Sequence, residues 1–183
     1  FQIQSRLKVK DMPFLMGQHL YLDSEGLSDD DCIEKAIVHG TLSVGFIGLA
    51  ETLTALVGCH HGESPEAQEL GLEIVRHMRE KVDQAVAQRN LNYTLLATPA
   101  EGLSGRFVAK DKGRYGEIKG VTDREYYTNS FHIPVYFPIS SYDKIMLEGP
   151  YHKYCNAGHI SYVELDAPPL DNIAAVYDIL KSM

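Results

Sequence analysis

The most regular pattern in the chain lies between Ser64 and Arg89. Ala67, Leu70, Ile74, Met78, Val82 and Ala85 recur at helical spacing, with charges on the opposite side. Ser64, Pro65 and Glu66 open that stretch as cap, first-turn proline and first-turn acid, so a long helix is predicted to about Arg89. A shorter helical period over 50–58 (AETLTALVG) stops at Gly58. Two runs read as extended instead. Residues 41–49 (TLSVGFIGL) are apolar and β-rich, punctuated by Gly45 and Gly48, and 93–97 (YTLLA) form a short buried strand. The second run breaks at Thr98-Pro99, and helical spacing resumes from about Glu101.

Elsewhere the pattern is less regular. Residues 13–17 (PFLMG) predict a buried turn. Ser28 followed by Asp29, Asp30 and Asp31 predicts a capped helix carrying Cys32, Ile33, Ala36 and Ile37 and ending at Gly40. A polar excursion is expected over 113–123. Residues 126–135 (YYTNSFHIPV) read as a strand that Pro134 ends at a sheet margin. A short helix over 141–148, a strand over 160–165 (ISYVEL) and a last helix capped by Asp171, bearing Ile173, Val176, Tyr177 and Leu180, complete the prediction. Strands alternating with helices make an α/β sheet with helical crossovers. Without repeats, low-complexity tracts or linkers, residues 1–183 read as a single unit.

Composition narrows the function classes. The 183 residues are 44% hydrophobic and 23% charged, as in a soluble globular chain. A net charge of −8 disfavours binding to nucleic-acid backbones, which takes clustered Lys and Arg. It leaves open a single nucleotide held by local backbone dipoles. No apolar run approaches the ~18 residues of a membrane span. Three cysteines, Cys32, Cys59 and Cys155, without a Cys-x-x-Cys pair, point to a reducing compartment and away from disulfides or a zinc knuckle. The chain opens on Phe1, without an initiator Met or a signal peptide, and is read as cut from within a longer protein.

The strongest local chemistry lies at 98–106. Thr98, Pro99 and Ala100 leave a strand, and Glu101, Gly102, Leu103 and Ser104 enter a helix whose first N–H groups lack internal partners. A phosphate there can accept several of them at once. Thr98 and Ser104 add hydroxyls, Arg106 a charge, and Gly102 and Gly105 close access to the backbone. An ordinary strand-to-helix turn accounts for the same residues. Asn129, Ser130 and His132 form a possible substrate pocket, although on a regular strand Ser130 and His132 share a face and Asn129 takes the other. Glu51 and Glu101 are the carboxylates nearest these motifs. His60 and His61 read as a polar loop rather than a metal site, His39 and His159 as buried hydrogen-bonded histidines, and Cys155 as a small buried or half-buried thiol.

Four strings in order, 39–51 (HGTLSVGFIGLAE), 98–107 (TPAEGLSGRF), 120–135 (GVTDREYYTNSFHIPV) and 148–165 (EGPYHKYCNAGHISYVEL), resemble the late barrel segment of the class III anaerobic ribonucleoside-triphosphate reductases. The resemblance runs over essentially the whole chain. It implies an α/β fold, the second half of a ten-stranded barrel made of two five-stranded halves. It implies removal of the ribose 2′-hydroxyl from a ribonucleoside triphosphate. In the family a glycyl radical passes its unpaired electron to a cysteine, whose thiyl radical takes the 3′ hydrogen. The family loop matching 98–106 holds the substrate phosphates. The resemblance further implies a structural zinc, formate or a thiol as reductant, a radical S-adenosylmethionine activating partner, a homodimer and a cytoplasmic location.

The family's radical-bearing cysteine, four-cysteine zinc site and glycyl-radical loop match nothing in these residues. No catalytic residue, metal or cofactor is therefore expected within this segment, and the segment alone is expected to be inactive.

Overall fold

A computed structural model describes residues 1–163 and 172–182. Residues Thr41–Phe46 (β1) and Asn92–Ala97 (β2) form a small parallel two-stranded sheet. Between them lie helices Leu49–Val57 (α2) and Pro65–Arg89 (α3), so the connection is the helical crossover that the alternating pattern predicts. A short helix, Glu34–Ile37 (α1), precedes β1. Helices Glu101–Tyr115 (α4), Ser141–His152 (α5) and Ile173–Ser182 (α6) follow β2.

Local chemistry explains the boundaries. Gly58 ends α2 in a left-handed conformation at φ 87°, and its N–H donates to the Thr54 carbonyl. The Ser64 hydroxyl accepts the Ala67 N–H at 3.0 Å, capping α3. Ser140 does the same for α5 through the Asp143 N–H. At α6 the visible cap is Asn172, whose Oδ1 accepts the Ala175 N–H; the Asp171 cap lies outside the described residues.

Several sequence expectations give way. The helix expected from Cys32 shrinks to Glu34–Ile37. Cys32 instead forms an isolated bridge with Lys8, and the Ile33 N–H goes to the Leu7 carbonyl, so tertiary pairing consumes the would-be first turn. The turn at 13–17 buries only Met16, leaving Phe14 exposed. The polar excursion begins later, because α4 continues to Tyr115 before Gly116. Helix α5 is longer than expected and carries Pro150. Residues 126–135 are not a strand: Ser130 sits at φ 42°, a left-handed conformation that breaks extended pairing, and only Asn129 bridges Ile47. Residues 160–163 are irregular, and Glu164 and Leu165 lie outside the described residues. The neighbouring 156–158 run beside β2 instead. The Asn156 Oδ1 accepts the Leu95 N–H, the Ala157 N–H reaches the Leu95 carbonyl, and the Ala97 N–H reaches the Gly158 carbonyl.

The chain divides into two compact units. The first, Phe1–Ser43 with Lys81–Thr94, has a small core of Val9, Met16, Ile33 and Ala36. The second, Val44–Glu80 with Leu95–Met183, contains every candidate site residue. Its interior is aromatic: Phe131 stacks on Tyr151 with ring centres 5.2 Å apart, and the His61 ring meets Tyr151 edge-on.

Candidate functional site

The loop at 98–106 is built where β2 runs out. Thr98 packs against Gly45 of β1 so closely that any Cβ on Gly45 would collide with its hydroxyl. Glycine at 45 is thus a consequence of where Thr98 sits. Ala100 is the N-cap of α4, buried and in a non-helical conformation, and has no side chain with which to cap. Its own N–H donates to the Asn129 Oδ1 at 3.2 Å. The Ser104 N–H returns to the Ala100 carbonyl, closing the first helical turn.

Among the described residues, no protein acceptor meets the N–H groups of Glu101, Gly102 or Leu103. These three residues are exposed, and a Cβ on Gly102 would meet open space. The helix therefore begins with uncapped, accessible amides at the positive end of its dipole. Arg106 is exposed on the same helix. Ser104 is buried and its hydroxyl donates to the Glu101 carbonyl, so it serves the helix. Thr98 is half-buried, its hydroxyl 3.4 Å from the Leu96 carbonyl.

The segment behind the loop positions the second group of residues. The Gly48 N–H donates to Thr128, and the Leu49 N–H to Ser130, at their backbone carbonyls. The His132 N–H closes a turn on the Asn129 carbonyl. Because of that turn, Asn129 and His132 line one cavity of about 100 Å³, together with Glu51, Arg124, Lys144 and Tyr162. Ser130 does not line it; its hydroxyl is buried without a partner among the described residues. The face-sharing expected of a regular strand is therefore reversed.

Two carboxylates fasten this cavity. Glu51, on α2, accepts both the N–H and the hydroxyl of Thr128 on Oε1, at 2.9 and 2.7 Å. Glu148, on α5, accepts the Ile133 N–H at 2.8 Å, pairs with Lys144 at 2.8 Å and meets His132 Nδ1 at 3.2 Å. Burial would raise the Glu148 carboxyl, but the hydrogen bonds from His132 and Lys144 outweigh it and hold it below its ordinary value. Tyr127 joins the segment to α4 through Asp111, and burial, with that hydrogen bond to a carboxylate, pushes its phenol up to about 12.

Sequence reasoning did not single out Glu148, Lys144, Arg124 or Tyr162. The i,i+4 spacing of Lys144 and Glu148 was the one available signal. His60 and His61 are buried rather than part of an open polar loop. His61 Nε2 meets the Phe131 carbonyl at 2.7 Å, and burial brings the imidazole down to about 4. His39 and His159 are exposed rather than buried: His39 pairs with Asp23, and His159 stacks on His152. Cys155 is buried as expected, which pushes its thiol up to about 11. Among the described residues no three His, Cys, Asp or Glu side chains gather where a metal ion could sit.

A family model for the anaerobic ribonucleoside-triphosphate reductases matches residues 1–183. The chain belongs to that family. It is 39% identical over 141 residues to the anaerobic ribonucleoside-triphosphate reductase of Salmonella typhimurium, covering 75% of this chain and 20% of the relative. It is 40% identical over 158 residues to that of Enterobacteria phage T4, covering 83% and 24%. The chain thus spans about a fifth to a quarter of the reductases it matches. The crystal structure of the anaerobic ribonucleotide reductase from Thermotoga maritima with glycerol in the active site shares the fold at a TM-score of 0.65. It is 16% identical, covering 95% of this chain and 28% of that one. No helix among the described residues is long and apolar enough to cross a membrane.

Proposed function

We propose that this segment supplies the phosphate-binding side of the active site in an enzyme that converts ribonucleoside triphosphates to 2′-deoxyribonucleoside triphosphates. The observation that carries the reading is the uncapped start of α4, where the Glu101, Gly102 and Leu103 amides meet no protein acceptor among the described residues, with Arg106 exposed on the same helix. A terminal phosphate placed there accepts fixed N–H donors at the positive end of a helix. Thr98 packs on Gly45 at the start of the loop, and Asn129 holds the Ala100 N–H, the amide just before the open ones. Asn129 and His132 then face the sugar, with Glu148 and Lys144 orienting His132 from behind.

The rest of the parent chain completes the reading. The segment forms part of the second half of a ten-stranded α/β barrel. A glycyl radical, formed by a radical S-adenosylmethionine activating partner, supplies the one-electron chemistry, with formate or a thiol as reductant and a structural zinc elsewhere in the chain. The parent is a cytoplasmic homodimer, and the segment alone is inactive. The Arg106→Ala variant of the parent tests the assignment. Losing one charge-assisted contact should weaken binding of the triphosphate about tenfold, read by equilibrium titration. Affinity equal to that of the wild type removes Arg106 from the site.

A further inference from the structure

Glu51 carries an oxygen that the fold leaves without a partner. Its Oε1 is filled by the Thr128 N–H and hydroxyl, whereas Oε2 is buried with no partner among the described residues. The residue is 6% exposed and forms part of the cavity wall that Asn129 and His132 also line. A buried carboxylate oxygen that lacks a donor is costly, and a ligand hydroxyl reaching it from the cavity would relieve that cost. We propose that Glu51 binds the sugar of the nucleotide, its Oε2 accepting a hydrogen bond from a ribose hydroxyl. This rests on the nucleotide reading given above and adds the residue that recognises the sugar.

Three features point to a sugar rather than to another group. The Asn129 Oδ1 is occupied by the Ala100 N–H, which leaves the Asn129 amide nitrogen as a donor, and Asn129 and Glu51 line the same cavity. An acceptor beside a donor suits adjacent hydroxyls, each of which donates and accepts. The cavity is small, about 100 Å³, and partly open, so part of a sugar ring can enter it while the rest of a nucleotide stays outside. Asn129 also connects the two subsites, since the N–H it binds is the one immediately before the open amides of α4.

Glu51→Gln separates sugar binding from the fastening of Thr128. The glutamine oxygen can still accept both Thr128 donors, while the position of Oε2 becomes a donor. The experiment follows hydrogen–deuterium exchange of the peptide spanning 98–107 in the full-length parent. It is titrated with a ribonucleoside triphosphate, its 2′,3′-dideoxy counterpart and inorganic tripolyphosphate. In the wild type, the ribonucleotide should protect that peptide at about tenfold lower concentration than the dideoxy compound. Glu51→Gln, which replaces the charged acceptor by a neutral amide donor that a hydroxyl can still accept, should narrow that gap and leave tripolyphosphate unchanged. Glu51→Asp withdraws both oxygens by one methylene and serves where the glutamine variant is too unstable, provided exchange around Thr128 stays as in the wild type. No gap in the wild type, or a gap that survives both variants at full size, overturns the proposal. Equal weakening of all three ligands, with faster exchange around Thr128, makes Glu51 a fastening residue only and also overturns it. Should none of the three ligands protect the peptide in the wild type, the phosphate reading itself fails, a result distinct from the others.

Discussion

Position 45 must be glycine because of its neighbour. The Thr98 hydroxyl occupies the space a Cβ would take, so Gly45→Ala has to push Thr98 away from β1. We expect a loss of about 1–3 kcal/mol in stability from this overpacking. A matching loss of triphosphate affinity is expected, because Thr98 sets the entry of α4. Thermal unfolding together with a binding titration checks both; unchanged affinity would show that the loop tolerates the shift. His61 makes a second prediction at this scale. Its pKa is lowered from 6.5 to about 4 by burial, so the folded state keeps it neutral where the unfolded chain takes up a proton. The associated stability is full above pH 6.5 and is lost as pH falls towards 4, by about 3 kcal/mol at most. His61→Gln keeps a donor for the Phe131 carbonyl and should flatten the stability profile across that window. A slope equal to the wild type's would assign it to other groups.

At the scale of elements, α4 is defined by what its first turn lacks. Gly102 faces open space, so Gly102→Asp fits sterically and places a negative charge at the positive end of the dipole. The helix should gain about 0.3–1 kcal/mol while triphosphate affinity falls, because the new carboxylate competes for the same amides. A variant that stabilises the helix without weakening binding would put the phosphates elsewhere. This is also where the sequence was most informative. Helices α2, α3 and α4 and strand β2 carry their boundaries in neighbouring residues: Ser64 caps α3, Gly58 ends α2, and Pro99 separates β2 from α4. The segment at 126–135 was misread because alternating apolar residues suggest a strand, whereas one left-handed residue, Ser130, turns the chain. That turn brings Asn129 and His132 to one cavity, an outcome no periodicity encodes. Glu148 was invisible for a related reason: its partners His132 and Ile133 lie 16 and 15 residues away and meet it only through packing.

At the scale of the whole molecule, family membership covers all 183 residues, while the chain spans 20% to 24% of the Salmonella and phage T4 reductases. The segment is thus proposed as one part of a larger enzyme, and the start of α4 is where its own geometry supports that role. The most direct measurement is a structure of the full-length parent with a ribonucleoside triphosphate bound. The account predicts phosphate oxygens within hydrogen-bond distance of the amides of Glu101, Gly102 and Leu103. Phosphates bound elsewhere, with those amides facing only solvent, would contradict it.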